Sequence, residues 1–192
     1  MLDPELVTHI TTTLTDIEAF ADARLGWDAP PRAYGIFTQP DGGGRALLVA
    51  APLPIRESQW HLPDPQRPGV NLSAALVLGG ITFQLTEPGA PAWFGRWLTK
   101  NGRQLVATAF LFEGYTTSGY AGYTPGDLNE FPAMADAEVR IIAAIDIDGR
   151  VWQLVRRRGD STPELTVMEQ PPPEVNATNV IYALARLLAA RA

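Results

Sequence analysis

Two strand-like runs, Glu138 to Ile147 and Arg150 to Arg158, meet across the pair Asp148-Gly149. An Asp-Gly pair between β-rich runs is a strong hairpin signal, because a type I′ turn needs positive φ at both central residues. A two-residue turn sets a register in which Ile147 faces Arg150, Ile145 faces Trp152, Ala143 faces Leu154 and Ile141 faces Arg156. Ile141, Ala143, Ile145, Trp152 and Leu154 then share one face, and Ile142, Ala144, Val151 and Val155 the other. Both faces are apolar. A sheet wetted on one side alternates more cleanly, so the hairpin is expected to be covered above and below, by helices or loops of its own chain or by a second copy. The same register sets Arg140 against Arg157, a like-charge pair that Glu138 stands close enough to offset.

The flanking sequence supplies candidate covers. Asp3 is a natural N-cap, Pro4 suits the first helical position, and Leu6, Ile10, Leu14, Ile17 and Ala21 form one apolar stripe, which predicts a helix to Arg24 with Gly26 just past its end. Arg32 to Thr38 and Ala46 to Ala51 read as strands around the loop Pro40-Asp41-Gly42-Gly43-Gly44, followed by a proline-rich excursion from Pro52 to Gly69. Leu72, Ala75, Leu76 and Ile81 suggest a buried helix within Asn71 to Leu85, weakened by Gly79-Gly80. Pro91 to Lys100 reads as a short helix, Arg103 to Thr116 as a strand, Glu113 to Asp136 as a Gly/Tyr/Pro loop and Glu164 to Met168 as a short edge strand. Pro171-Pro172-Pro173 leads into a last helix, Glu174 to Arg191, with Val180, Ile181, Leu184, Leu187 and Leu188 on one face. The order predicts a single α+β domain over residues 1–192. A central antiparallel sheet of about five strands would carry N-terminal, middle and C-terminal helices. This order resembles the profilin-like and roadblock-like folds, a topological likeness that implies no function.

Composition narrows the function classes. A hydrophobic content of 46% with 19% charged residues describes a globular chain, and the net charge of −6 argues against nucleic acid as a partner. The absence of cysteine excludes disulfides, zinc–thiolate sites, iron–sulfur clusters and cysteine nucleophiles. Met1 to Glu5 shows no basic segment leading into an apolar core, and the apolar run from Leu72 to Leu85 falls short of the roughly 20 residues that span a bilayer. A soluble, cytoplasmic protein is expected. Lys100 is the single lysine among 15 basic residues, which suggests a GC-rich bacterium or one of its phages as the source.

Three stretches carry a second likeness. Trp27-Asp28-Ala29-Pro30-Pro31-Arg32, Phe112-Glu113-Gly114-Tyr115, and Glu138-Val139-Arg140 leading to Asp148-Gly149 resemble a set of actinobacterial and actinophage proteins with no established activity. Those proteins share a Gly-Trp-Asp-x-Pro-Pro start, a Glu-Gly-Trp at a strand end, and a Glu-x-Arg strand with an Asp-Gly hairpin. Tyr115 stands where the pattern has tryptophan. The resemblance implies origin and fold.

No set of residues assembles a catalytic motif. His9 falls on the polar side of the first helix and His61 in the proline-rich loop, and no Gly-x-Ser-x-Gly elbow is present. The glycine loop before Arg45 lacks the helix that a phosphate loop needs. Asp146 and Asp148, with Asp127, Glu130, Asp136 or Glu138, have oxygen chemistry suited to a hard cation, but turn formation explains Asp148 and no metal is assigned. Arg156-Arg157-Arg158 alternates faces and reads as a solvated strand end. Tyr115, Tyr120 and Tyr123 lie among glycines, the chemistry of an adaptable binding loop. Trp93 and Trp97, one helical turn apart, are core residues or, if exposed, interface anchors.

The expectation is a non-enzymatic protein–protein interaction module, self-associating as a homodimer through apolar sheet or helix surface, without cofactor, nucleic acid or membrane. The alternative is a small-ligand sensor. Its pocket would lie between the sheet and the 52–69 and 113–136 loops, lined by Tyr115, Tyr120 or Trp60. A carboxylate-dependent hydrolase is a third reading, for which two acids must converge in a cleft.

Overall fold

Asp3 caps the first helix, α1 (Pro4–Arg24), by accepting the Glu5 N–H at 2.8 Å, with proline in the first turn. A computed structural model of the protein describes residues 1–41, 43, 46–116, 137–176 and 178–190. Six strands follow in it: β1 (Arg32–Pro40), β2 (Ala46–Pro52), β3 (Gln104–Thr116), β4 (Ala137–Asp146), β5 (Val151–Arg157) and β6 (Glu164–Met168). They form one sheet in the order β2-β1-β3-β4-β5-β6, with every pairing antiparallel. Between β2 and β3 lie α2 (Ala74–Thr86), capped by Ser73, and α3 (Ala92–Thr99). The expected single last helix is two pieces, α4 (Pro173–Asn176) and α5 (Asn179–Ala189), because Thr178 caps a fresh start by accepting the Ile181 N–H. The protein is thus α+β, with six strands where about five were expected. None of its described helices is long and apolar enough to cross a membrane.

The β4–β5 hairpin pairs one residue out of the expected register. Ile145 faces Val151, Ala144 faces Trp152, Ile142 faces Leu154 and Arg140 faces Arg156. The Gly149 N–H donates to the Asp146 carbonyl at 3.1 Å, and in the turn Gly149 alone has positive φ, +83°. That is a type I turn closed by a glycine bulge, a three-residue loop, and not the two-residue I′ turn. The Asp146 carboxylate selects it by accepting the N–H groups of Asp148 and Arg150, each at 2.9 Å. Shifting a strand by one residue moves every side chain to the opposite face of the partner. Ile141, Ala143 and Ile145 therefore share a face with Val151 and Val155, and Ile142 and Ala144 share the other with Trp152 and Leu154.

Both faces are covered, and the covers belong to the same chain. On one side α1 lays Ile10, Leu14 and Ala21 over Ile36, Ala109, Leu111, Ile142, Trp152 and Leu154. The fully buried Trp152 donates its indole N–H to Thr11 Oγ1 at 3.0 Å, tying sheet to helix. On the other side α2, α3 and α5 cover Phe37, Phe110, Phe112, Ile141, Ile145 and Val151, and buried Thr108 donates to the Leu184 carbonyl of α5 at 3.0 Å. Val106 is an extra residue in β3 between the Ile36–Ala107 and Phe37–Leu105 pairs, a bulge that turns Leu105 into the second core. The proline-rich excursion lies over this second face: the Leu53 N–H reaches the Ala33 carbonyl at 2.8 Å, and Trp60 packs on Phe110 at 5.4 Å between ring centroids.

Candidate interaction surface

The corner where α1 turns into β1 is built on buried charge. Glu18 lies on the sheet-facing side of α1 and is 1% exposed. Its carboxylate takes a two-pronged grip from Arg156, Nε to Oε1 at 2.7 Å and Nη2 to Oε2 at 2.6 Å. Arg140, fully buried, is 3.5 Å from the same carboxylate and 3.4 Å from Asp22, and donates to Glu113 at 2.9 and 3.0 Å and to the Gly26 carbonyl. The observed register sets Arg140 beside Arg156. Glu18, Asp22 and Glu113 neutralise that like-charge pair; the expected pair was Arg140 with Arg157, offset by Glu138. Hydrogen bonding to Glu18 pushes the Arg156 guanidinium above its ordinary range. Arg156 is therefore not the solvated strand end expected; Arg157 and Arg158 are exposed.

Trp27, Asp28, Glu113, Glu138 and Arg140 converge at this corner. The Trp27 ring lies 4.7 Å from the Arg140 guanidinium and 5.6 Å from that of Arg158. Asp28 takes the left-handed conformation, φ +68°, and donates its N–H to Glu113 Oε2 at 2.7 Å. Glu138 pairs with Arg158. Carboxylate oxygens of Asp28, Glu113 and Glu138 lie within 4.8 Å of one another, but Arg140 and Arg158 already occupy Glu113 and Glu138. The corner clamps the α1–β1 connector to β3 and β4. Four of its acids, Glu18, Asp22, Glu113 and Glu138, are paired with arginines.

The residues singled out from the sequence do not gather. Trp60 is buried in the core against Phe110 and lines no surface. Trp97 is half-buried, edge-on to Phe37 at 5.1 Å and stacked on Phe94 at 5.8 Å, with its indole N–H on the Pro52 carbonyl at 3.1 Å. It lies so close to β1 that a Cβ at Gly35 would come within 2.7 Å of its ring. Trp93 packs edge-on to Phe94 at 5.9 Å. Tyr115 is exposed near the end of β3, and Tyr120 and Tyr123 lie outside the described residues, as do Asp127, Glu130 and Asp136. Asp146 is consumed by its turn and by Arg150, at 2.8 Å, while Asp148 meets the Leu2 N–H. Glu138 sits at the other end of β4 from Asp146, roughly 25 Å away at strand rise, so those carboxylates do not share a site. His9 and His61 are both exposed.

Apolar surface on the helices is the feature that sequence reasoning misses. The residue spacing puts Leu76 on a buried face; it is 52% exposed, and Phe83, two turns along α2, is 53% exposed. Tyr182, one turn along α5 from Arg186, is 64% exposed, and the Arg186 guanidinium lies 4.7 Å from the Phe83 ring. Between Leu76 and Phe83 come Gly79 and Gly80, with open space where a Cβ would be. The available signal is that α2 is apolar on all sides, a pattern that belongs to helices with no wet face. At the far edge of β5 and β6 lies an open groove of about 400 Å³ lined by Gln153, Val155, Arg157, Asp160, Thr162, Glu164 and Thr166, mostly polar and away from Trp60 and Tyr115. Compared with family models, with curated proteins and with solved structures, the chain matches none.

Proposed function

We propose that the protein is a non-enzymatic protein–protein interaction module, and that the outer face of α2 and α5 receives an apolar segment of a protein partner. The observation that carries this reading is α2 itself: an all-round apolar helix whose outward residues Leu76 and Phe83 are about half exposed, beside exposed Tyr182. Exposed apolar side chains edged by charged pairs such as Arg186–Glu87 are typical of contact sites. The glycines at 79 and 80 leave room for a partner's side chains to approach the helix backbone. The commitment of the buried acids to arginines weighs against carboxylate catalysis. Placement in the cytoplasm of a GC-rich bacterium or its phage belongs to the same proposal and rests on composition.

The test is affinity capture from the source organism, with wild-type protein beside a Leu76→Asp/Phe83→Asp variant shown by circular dichroism to be folded. A protein retained by the wild type and lost by the variant is the expected result. Identical capture by both, or none by either, contradicts the assignment of this face.

A further inference from the structure

An edge strand presents a row of unpaired backbone donors and acceptors, and natural proteins guard it with charge, proline, a bulge or a covering segment. The sheet has two edges. β6 is five residues long and begins at Glu164, with Glu169 just beyond its end. β2 is seven residues, Ala46-Leu47-Leu48-Val49-Ala50-Ala51-Pro52, with no charge within it, Arg45 next to it in the sequence, and its one proline at the last position. β1 pairs with β2 along its whole length, and no other described residue hydrogen-bonds to the backbone of 46–51. None of the seven residues is buried, and Leu47 is 53% exposed.

The order of side-chain sizes along β2 says what fits the edge. Large residues stand at 47 and 48 and small ones at 50 and 51, about Val49 at the centre. An antiparallel copy centred on Val49 places Leu47 against Ala51 of the copy, Leu48 against Ala50, and Val49 against Val49. Each leucine meets an alanine on the same face, so neither face is overfilled. The arrangement is two-fold and closed. Pairing β2 with β6 of another copy would instead leave edges open at both ends and grow into a filament.

We infer that β2 pairs antiparallel with β2 of a second copy of this chain, joining two sheets into one. This deepens the interaction reading by naming a second copy as one partner, through residues separate from Leu76, Phe83 and Tyr182. Seven residues per chain bury less than the roughly 800 Å² per partner of a standard interface, so a dissociation constant in the micromolar range is expected.

Sedimentation equilibrium from about 1 to about 300 µM, spanning such a constant, tests the inference. A concentration-dependent dimer is expected, weakened at least about tenfold by Val49→Lys, which sets two like charges directly opposite. The chain has no cysteine, so Val49→Cys introduces a single thiol. Directly opposed residues of an antiparallel pair have Cα atoms about 4.5–5.5 Å apart, within disulfide reach. Mild oxidation is therefore expected to link Val49→Cys into a dimer and to leave Leu62→Cys, more accessible but off the edge, mostly single. A monomer at all concentrations, equal cross-linking of the two cysteine variants, or a dimer indifferent to Val49→Lys overturns the inference. Should Val49→Lys fail to fold, Leu47→Lys and the cysteine pair decide it. The Leu76→Asp/Phe83→Asp variant is expected to keep the dimer; losing it would assign self-association to the helix face and refute pairing at β2. A dimer that persists while partner capture is unchanged by that variant sinks the helix-face reading and leaves the strand pairing standing.

Discussion

Glu18 shows how one residue can be read wrongly from its type alone. An acid on a helix is normally solvated, yet Glu18 follows Leu14 by four residues and so continues the stripe begun by Ile10. That break in an apolar stripe is visible in the sequence. Its partners are not, because Arg140 and Arg156 come from strands more than 100 residues away and their placement depends on the hairpin register. Removing one member of a buried, hydrogen-bonded charge pair leaves its partner desolvated, which costs about 3–5 kcal/mol. Glu18→Ala is expected to destabilise the fold by about that much in urea denaturation, and Glu18→Met with Arg156→Met together by clearly less than Glu18→Ala alone. A loss under about 1 kcal/mol for Glu18→Ala, on the order of an exposed ion pair, would show that the network is solvated.

Among the elements, those with strong local signals are legible in the sequence itself. α1 announces itself through Asp3, Pro4 and its stripe, and the hairpin through Asp148-Gly149. The turn type is not legible, because it hangs on what the Asp146 side chain does. By accepting two N–H groups of the turn it stabilises a three-residue loop over the two-residue alternative. The consequence is large for so small a cause, since the register decides which apolar set meets α1 and which meets α2 and α5. At φ +83° a residue with a Cβ is strained. Gly149→Ala is expected to cost about 1 kcal/mol, read as a shift in the urea midpoint with an unchanged slope. A neutral outcome would mean that the turn is not closed by a left-handed glycine.

For the whole molecule, apolar residues on both faces of the hairpin correctly imply a sheet covered on both sides, but not by what. Each cover is the chain's own: α1 on one face, α2, α3 and α5 on the other. The two proposed associations use surface that these covers leave over, the outside of α2 and α5 and the edge at β2. Neither surface is foreseeable from the residues alone. Exposure of Leu76 and Phe83 depends on which side of an all-apolar helix meets the sheet, and the edge position of β2 depends on β3 returning beside β1. Hydrogen exchange followed by mass spectrometry, at about 1 and about 300 µM protein, concentrations that bracket a micromolar constant, tests this account most directly. Peptides of β4 and β5 are expected to be the slowest at both concentrations, while peptides covering residues 46–52 gain protection at the higher one. Protection of β4 and β5 that itself rises with concentration would mean that a second molecule covers the sheet faces, and would contradict the account.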